Sequence, residues 1–366
     1  MKRSLYLFRS GELRRKDNSL CFVSEERTKH FPVENIEDIY VFGEVEVSKK
    51  LLEFLSEKHI CLHFFNYYGY YVGTFYPREH LNAGCVLVRQ AEHYLDPAKR
   101  MRLASAFVRG AIGQMAQVLR YYYNRAGHKD TGDETAADGD TDVNRDKDIG
   151  GDKDMGVRKA GKALLGATLA QLEQDAAAID ECAGIAELMA VEGHARERYY
   201  AAFDVILGNP DFLFEKRTKN PPLNRLNALI SFGNSLCYTI VLSEIYKTYL
   251  DPRIGFLHTS NFRRFSLNLD VAEIFKPIMV DRLIFTLINK NMIKKDDIDR
   301  RVGGVMLTEA GRRTFVEELD KRMQTTVRHR HLGKSVSYRR LIRLELYKLQ
   351  KHLLGEKQYE PYRSLW

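Results

Sequence analysis

The feature that most constrains this chain is a change of hydrophobic period near residue 85. Up to about Gly84 the apolar residues come in short strand-like runs: SLYLF, NSLCFV, IEDIYVFG, ICLHFF and YYGYYVGTFY. Gly, Asn, Asp and Pro punctuate these runs. Only Ser48 to Lys58 reads as helix, with Leu51, Leu52 and Leu55 at helical spacing behind a serine cap. From Val86 onward the apolar positions recur three and four apart, through Met101–Tyr123, Ala167–Ile206 and most of the chain beyond Ile206. The expectation is an α+β chain, with a β-rich unit over residues 1–85 and a larger helical unit over 86–366.

One stretch breaks the helical period. Residues 127–156 hold nine Asp and one Glu against four Lys and Arg, a local charge of −6, and contain no aromatic residue. Such a segment buries too little surface to offset its chain entropy, so 127–162 is expected to be a disordered acidic insertion. Its Asp138, Asp140 and Asp142 echo the start of a calcium loop. The glycine and the closing glutamate of that loop are replaced by Val143 and Ile149. Gly156 to Ala163 approaches a phosphate-binding loop, but ends in Ala163 where the magnesium-binding hydroxyl belongs, and no strand precedes it.

Charge and cysteine usage narrow the function classes. The chain carries 57 Lys and Arg against 49 Asp and Glu, a net +8, and more once the acidic stretch is set aside. A basic chain suits an acidic polymer. Five widely spaced cysteines, none in a C-x-x-C pair, indicate neither a disulfide framework nor a thiolate zinc site, so a reducing cytoplasm is expected. The N-terminus meets charge too early for a secretion signal. The longest uncharged window, Leu226–Ser243, carries too many polar residues for a membrane span, and no membrane partner is expected. The motifs G-x-S-x-G, H-E-x-x-H and G-x-G-x-x-G are all absent.

What remains is a set of carboxylates and a histidine in apolar surroundings. Glu192 shares its helix face with Ala195, Tyr199 and Phe203, while Arg196 and Glu197 are read as the charged side. A buried carboxylate needs a cation or a hydrogen-bond partner, so a salt bridge and a functional site stand as alternatives. His258 ends an apolar turn, and Asp270 and Glu273 lie three apart, on one helix face. One imidazole with several oxygen donors suits magnesium or manganese doing phosphoryl chemistry. Near the C-terminus, SVSYRRLIRLELYKLQKHLL reads as a helix with Ile342, Leu346, Leu349 and Leu353 inward. Arg339, Arg340, Arg343, Lys348 and Lys351 lie largely outward, a face able to neutralise phosphates. Arg217 and Lys219 offer a second basic surface near the Glu192 helix.

These residues together resemble the CRISPR-associated endonuclease and spacer integrase family, CRISPR-associated protein one, in its type I-like form. The resemblance rests on EGHARERYYAAF from Glu192, on PPLNRLNALISFGNSLCY at 221–238, on GFLHTSNFRRFSLNLDVAEIFKPIMVDRL at 255–283, and on the N-terminal strands. It implies a metal-dependent DNA endonuclease and integrase, with Glu192, His258, Glu273 and Asp270 as catalytic residues. The first three would hold Mg2+ or Mn2+, with Asp270 supporting. It also implies a homodimer formed through the β-rich unit, two such dimers flanking CRISPR-associated protein two in a heterohexamer, double-stranded prespacer and repeat DNA as substrate, and an accessory exonuclease. Arg264 is expected either to contact phosphate or to form a structural salt bridge. Asn234 and Asn268 depart from the family pattern, and Asn268 is expected to point away from the ligands. A non-catalytic DNA-binding scaffold and a repair nuclease for branched DNA are the alternatives.

Overall fold

A computed structural model describes residues 2–78, 81, 83–125, 152–219, 221–258, 265–301, 303–329 and 332–364. The N-terminal unit holds two four-stranded sheets. In the first, β2 (Gly11–Lys16), β3 (Ser19–Val23) and β4 (Thr28–Pro32) form an antiparallel meander, and β6 (Val45–Val47) joins β2 in parallel. In the second, β1 (Arg3–Leu7), β5 (Ile36–Val41) and β7 (Leu62–Phe65) are parallel and β8 (Tyr71–Phe75) closes the edge antiparallel to β7. Parallel pairing requires crossovers, and α1 (Lys49–Glu57) lies between β6 and β7. Ser48 caps α1 through its hydroxyl, which accepts the Leu51 N–H. Leu13, Leu20, Ile39, Leu51, Phe54 and Leu62 form the core between these elements.

The period-2 alternation of β5 sends its other side chains elsewhere. Tyr40, with Phe42 and Phe65, belongs to the core of the helical unit, and Phe42 approaches Phe232 at 6.2 Å between ring centroids. The β-rich unit therefore packs one sheet face directly against the helices.

The helical unit runs through α2 (Gly84–Leu95), α3 (Pro97–Arg125), α4 (Asp152–Ala178), α5 (Ile185–Ala201), α6 (Phe203–Leu207) and α7 (Arg225–Tyr246). It continues through α8 (Leu267–Lys276), α9 (Arg282–Asn289), α10 (Glu309–Gln324) and α11 (Tyr338–Leu353). Two short hairpins, β9 (Ile298–Arg301) with β10 (Gly304–Leu307) and β11 (Thr326–Arg328) with β12 (Ser335–Ser337), interrupt it. Helix α3 packs against α4, α5 and α8 and so spans the layer that carries the candidate site. Helix α7 is long and apolar enough to cross a membrane, but 83% of its apolar window is buried inside the fold, so it serves as the core helix.

The acidic insertion needs correction at its C-terminal end. Helix α4 already begins at Asp152, so 152–162 are helical. The near-match to a phosphate loop at 156–163 lies within that helix. Residues 126–151, including the Asp138, Asp140 and Asp142 pattern, lie outside the described residues.

A buried ionic network joins the two units. Asp38 of β5 is fully buried and accepts from Arg339 Nη1 at 2.7 Å and from the Ser243 hydroxyl. Arg339 also donates to Ser4 Oγ at 2.9 Å. Arg343 Nε donates to Glu244 at 2.7 Å and Nη2 to Glu37 at 3.2 Å, while Lys247 bonds Glu37 and Glu244. Arg339 and Arg343, expected from the sequence to contact phosphates, are thus corrected: their heads turn inward to neutralise carboxylates on β5 and α7.

Candidate metal centre

The site forms where α5, α8 and the turn before α8 meet. Asp270, in the first turn of α8, has a fully buried carboxylate. It accepts the backbone N–H groups of Phe256 at 2.5 Å, Leu257 at 3.0 Å and His258 at 2.9 Å, and the His258 Nδ1–H at 2.8 Å. The preceding turn can wrap this closely only because residue 255 is glycine. A Cβ there would stand 2.8 Å from the Ser266 carbonyl carbon and 2.9 Å from Asp270 Oδ2. With Nδ1 donating to Asp270, the imidazole lone pair lies on Nε2, the arrangement seen behind metal-bound histidines. Burial lowers the His258 pKa, but the Asp270 hydrogen bond, its charge and Glu273 outweigh that, and the net shift is upward.

Glu273 comes one turn later on the same face and is nearly buried. Lys276 Nζ donates to its Oε1 at 2.6 Å, and Arg196 Nη2 donates to its Oε2. Burial would raise the Glu273 pKa, yet Arg196, Lys276 and His258 bring it down to about 2. Glu192, on α5, accepts from Arg196 Nε at 2.6 Å. The two carboxylates therefore share one guanidinium. The sequence placed Arg196 on the charged outer side of α5, and this is corrected: four residues on from Glu192, it lies on the same face, and its side chain is only 12% exposed.

The structure thus links Glu192 to Glu273 through Arg196 and His258 to Asp270, with Asp270 as the orienting carboxylate; the ligand atoms of Glu192, His258 and Glu273 do not all come within 4.8 Å of one another. Asn268 turns away, its amide donating to the Tyr238 carbonyl at 3.2 Å. Arg196, Lys276 and Gly255 escaped the sequence reading. The signal for the first two was local, a basic residue four after Glu192 and another three after Glu273. Arg217 is half-buried and donates to Asn227 at 2.9 Å and Ser231 at 3.0 Å, which fixes it on the rim. Lys219 is exposed nearby. Partial desolvation, then Arg217 and Lys276, hold its ammonium below the ordinary value, while Glu192 and Glu273 pull the other way. Arg264 lies outside the described residues.

Of the α11 candidates, Arg340 and Lys351 are exposed. Lys348 bonds the Glu345 carboxylate at 2.6 Å and the Glu360 carbonyl at 2.6 Å. Lys348 and Lys351 line a cleft of about 1440 Å³ shared with Arg102, Arg109, Arg328 and Lys357. None of the metal-site candidates lines it.

A second group of ligand-type side chains, Asp38, Cys61 and His63, has its donor atoms within 4.8 Å of one another. It does not fit a cation. Lys247 and Arg339 already balance Asp38, burial pushes the Cys61 thiol up, and burial keeps His63 neutral down to about 4. A divalent ion there would add charge beside two buried cations.

A sequence model of the CRISPR associated protein Cas1 family matches residues 5–146 and 153–321. The chain is 50% identical to a CRISPR-associated endonuclease Cas1 of Thermodesulfovibrio yellowstonii, over the full length of both. It is 45% identical to the endonuclease Cas1 of Thermotoga maritima, with 97% of this chain and 98% of that one covered. A solved Thermotoga maritima Cas1 structure superposes with a TM-score of 0.78 over 98% of this chain and 99% of that one, at 43% identity. A casposase bound to integration product shares the fold at a TM-score of 0.78 and 18% identity, over 99% of this chain and 93% of that one. With the β-rich and helical units in the expected order, the chain belongs to the CRISPR associated protein Cas1 family.

Proposed function

We propose that this chain is a divalent-metal-dependent DNA endonuclease and integrase of CRISPR adaptation, with Glu192, His258 and Glu273 as the ligands of Mg2+ or Mn2+. The observation that carries this is the pairing of His258 with Asp270 beside two carboxylates that already share a cation. One imidazole and two hard carboxylates suit magnesium or manganese. An ion held there supplies Lewis-acid activation of an attacking hydroxyl and neutralises charge at the phosphorus. Asp270 fixes the imidazole tautomer and its direction. Arg196 and Lys276 keep Glu273 ionised. Arg217 and Lys219 on the rim bind phosphate oxygens and align the strand, and Arg264 adds a further phosphate ligand.

The reaction is transesterification. A 3′-hydroxyl of the prespacer attacks the repeat phosphodiester, one P–O bond forms, and the bond to the displaced strand breaks and releases a new 3′-hydroxyl. Water in place of the 3′-hydroxyl gives hydrolysis. A structure of the same fold holds an integration product, and another belongs to a Cas6-RT-Cas1–Cas2 complex. By that parallel the partners are DNA and CRISPR-associated protein two; the family resemblance adds double-stranded substrate, a second copy of this chain, the heterohexameric assembly and room for an accessory exonuclease. Exposed Tyr67, Tyr68 and Val72, at and beside β8, give the β-rich unit apolar surface for a second copy to cover.

The test is strand joining of labelled DNA to a repeat duplex, with manganese, with EDTA, and in Glu192→Ala and His258→Ala. Joining and cleavage should fall by several orders of magnitude with EDTA and in both variants, while melting shows both variants folded. Full activity in either folded variant would overturn the assignment.

A further inference from the structure

Keeping Glu273 ionised does not account for the whole of Arg196's position. Its guanidinium is nearly buried; Nε holds Glu192 and Nη2 holds Glu273, on two different helices. The third nitrogen, Nη1, is buried without an acceptor. A divalent ion bridging Glu192 and Glu273 would take the place between the two carboxylates that the guanidinium now fills, at roughly 2.1 Å from each ligating oxygen. A guanidinium and a dication do not share that space.

A second buried carboxyl group lies within electrostatic reach of Arg196. Asp281 ends the wide turn after α8 (Pro277–Asp281) and is fully buried; the Tyr199 hydroxyl faces it without closing a well-formed hydrogen bond. Burial drives its carboxyl up to about 7, and Arg196 is the strongest charge acting against that rise, ahead of Lys276. The guanidinium also lies 6.0 Å from the Tyr200 ring, a face that tolerates a cation. A guanidinium nitrogen without an acceptor and a carboxyl with incomplete hydrogen bonding thus occur in one buried neighbourhood, a costly arrangement in a single static state.

We propose that Arg196 is an exchangeable internal counter-cation: it holds Glu192 and Glu273 together in the metal-free protein, yields its place to the divalent ion, and turns to Asp281. The inference rests on the assignment of Glu192, His258 and Glu273 as ligands. Arg196 is then a positioning residue that sets metal affinity by competition. Removing it should tighten metal binding, the opposite of what removing a merely supporting group would do. Asp281 draws the guanidinium away, so neutralising it should weaken metal binding.

The experiment uses the full chain and Mn2+ alone, without DNA, read by titration calorimetry and by the rise in melting temperature on adding the ion. Arg196→Ala should bind Mn2+ tenfold or more tighter than wild type and melt lower without metal. Arg196→Lys, whose single ammonium cannot bridge both carboxylates, should tighten binding by less. Asp281→Asn should weaken it several-fold. Unchanged or weaker affinity in folded Arg196→Ala overturns the proposal; if that variant does not fold, the same result in Arg196→Lys does so. Unchanged affinity in Asp281→Asn overturns the receiving role of Asp281. A wild type that binds no Mn2+ overturns the ligand assignment and the exchange together. Wild-type binding that disappears in Glu192→Gln, without tightening in the arginine variants, overturns the exchange alone.

Discussion

Asp270 does at the scale of one residue what a whole loop would otherwise have to do. Its two oxygens take three backbone N–H groups and one imidazole N–H, so the turn carrying His258 is built around a single charge. Asp270→Asn is nearly isosteric, but its amide nitrogen must face at least one of those donors. Loss of an orienting carboxylate behind a histidine ligand costs metal affinity about 10–100-fold. A buried donor left without an acceptor costs a further ~1–3 kcal/mol of stability. Asp270→Asn should therefore keep Glu192 and Glu273 in place yet lose both affinity and melting temperature, measured by Mn2+ titration and thermal melting. An unchanged Mn2+ affinity would show that His258 keeps its direction without Asp270. Gly255→Ala acts on the same turn by crowding and should shift both readouts the same way. The histidine and the two α8 carboxylates were legible from residue type and spacing. Arg196 was not, because an arginine four after a glutamate is commonly a solvated pair, and only the approach of α8 turns it inward.

At the scale of elements, α11 shows why a basic helix face is ambiguous in sequence. Its apolar stripe of Ile342, Leu346, Leu349 and Leu353 is buried as the period predicts. The basic residues divide, however, by what faces them. Arg339 and Arg343 meet Asp38, Glu37 and Glu244, which come from β5 and α7 and are distant in sequence, so no local pattern reveals them. Arg340 and Lys351 meet solvent. Arg339→Ala should destabilise by about 3–5 kcal/mol, since it leaves Asp38 and Glu244 buried beside fewer cations. Arg340→Ala with Lys351→Ala should leave melting almost unchanged. If these two residues neutralise phosphates, the slope of log DNA affinity against log salt falls by about 0.9 for each phosphate no longer neutralised. Titrations of one duplex at three salt concentrations decide it; an equal slope would remove α11 from the DNA path and leave Arg217 and Lys219 as the basic surface nearest the metal site.

At the scale of the molecule, the order of a β-rich unit and a helical unit was legible in the period change near residue 85, but the joint between them was not. That joint is ionic and aromatic: Asp38, Glu244, Lys247 and Arg339 beside Tyr40 and His63, all drawn from segments far apart in the chain. It makes the fold sensitive to acid. Burial would raise Asp38 and Glu244, but Lys247 and Arg339 outweigh it and hold both below the ordinary carboxylate values. Their contribution is complete above the unfolded carboxylate pKa, near 4, and is lost as pH falls through the folded values. His63 acts earlier. Burial lowers its pKa from 6.5 to about 4, so between those values the unfolded chain takes up a proton that the folded one refuses. Stability tied to His63 falls across that window by roughly 3 kcal/mol, at about 1.4 kcal/mol per pH unit. His258 has the opposite sign, because its raised pKa favours the fold as pH drops, and it offsets part of the loss. Metal-free melting temperature should therefore decline from pH 7 to pH 4 and drop more steeply below. In His63→Gln the upper part of the decline should flatten while the steep part below pH 4 remains, because Asp38 and Glu244 are untouched. Melting curves at pH 7.5, 6, 5, 4 and 3 on both proteins test this; parallel profiles would mean that His63 protonates inside the fold, with Asp38 as its counter-ion.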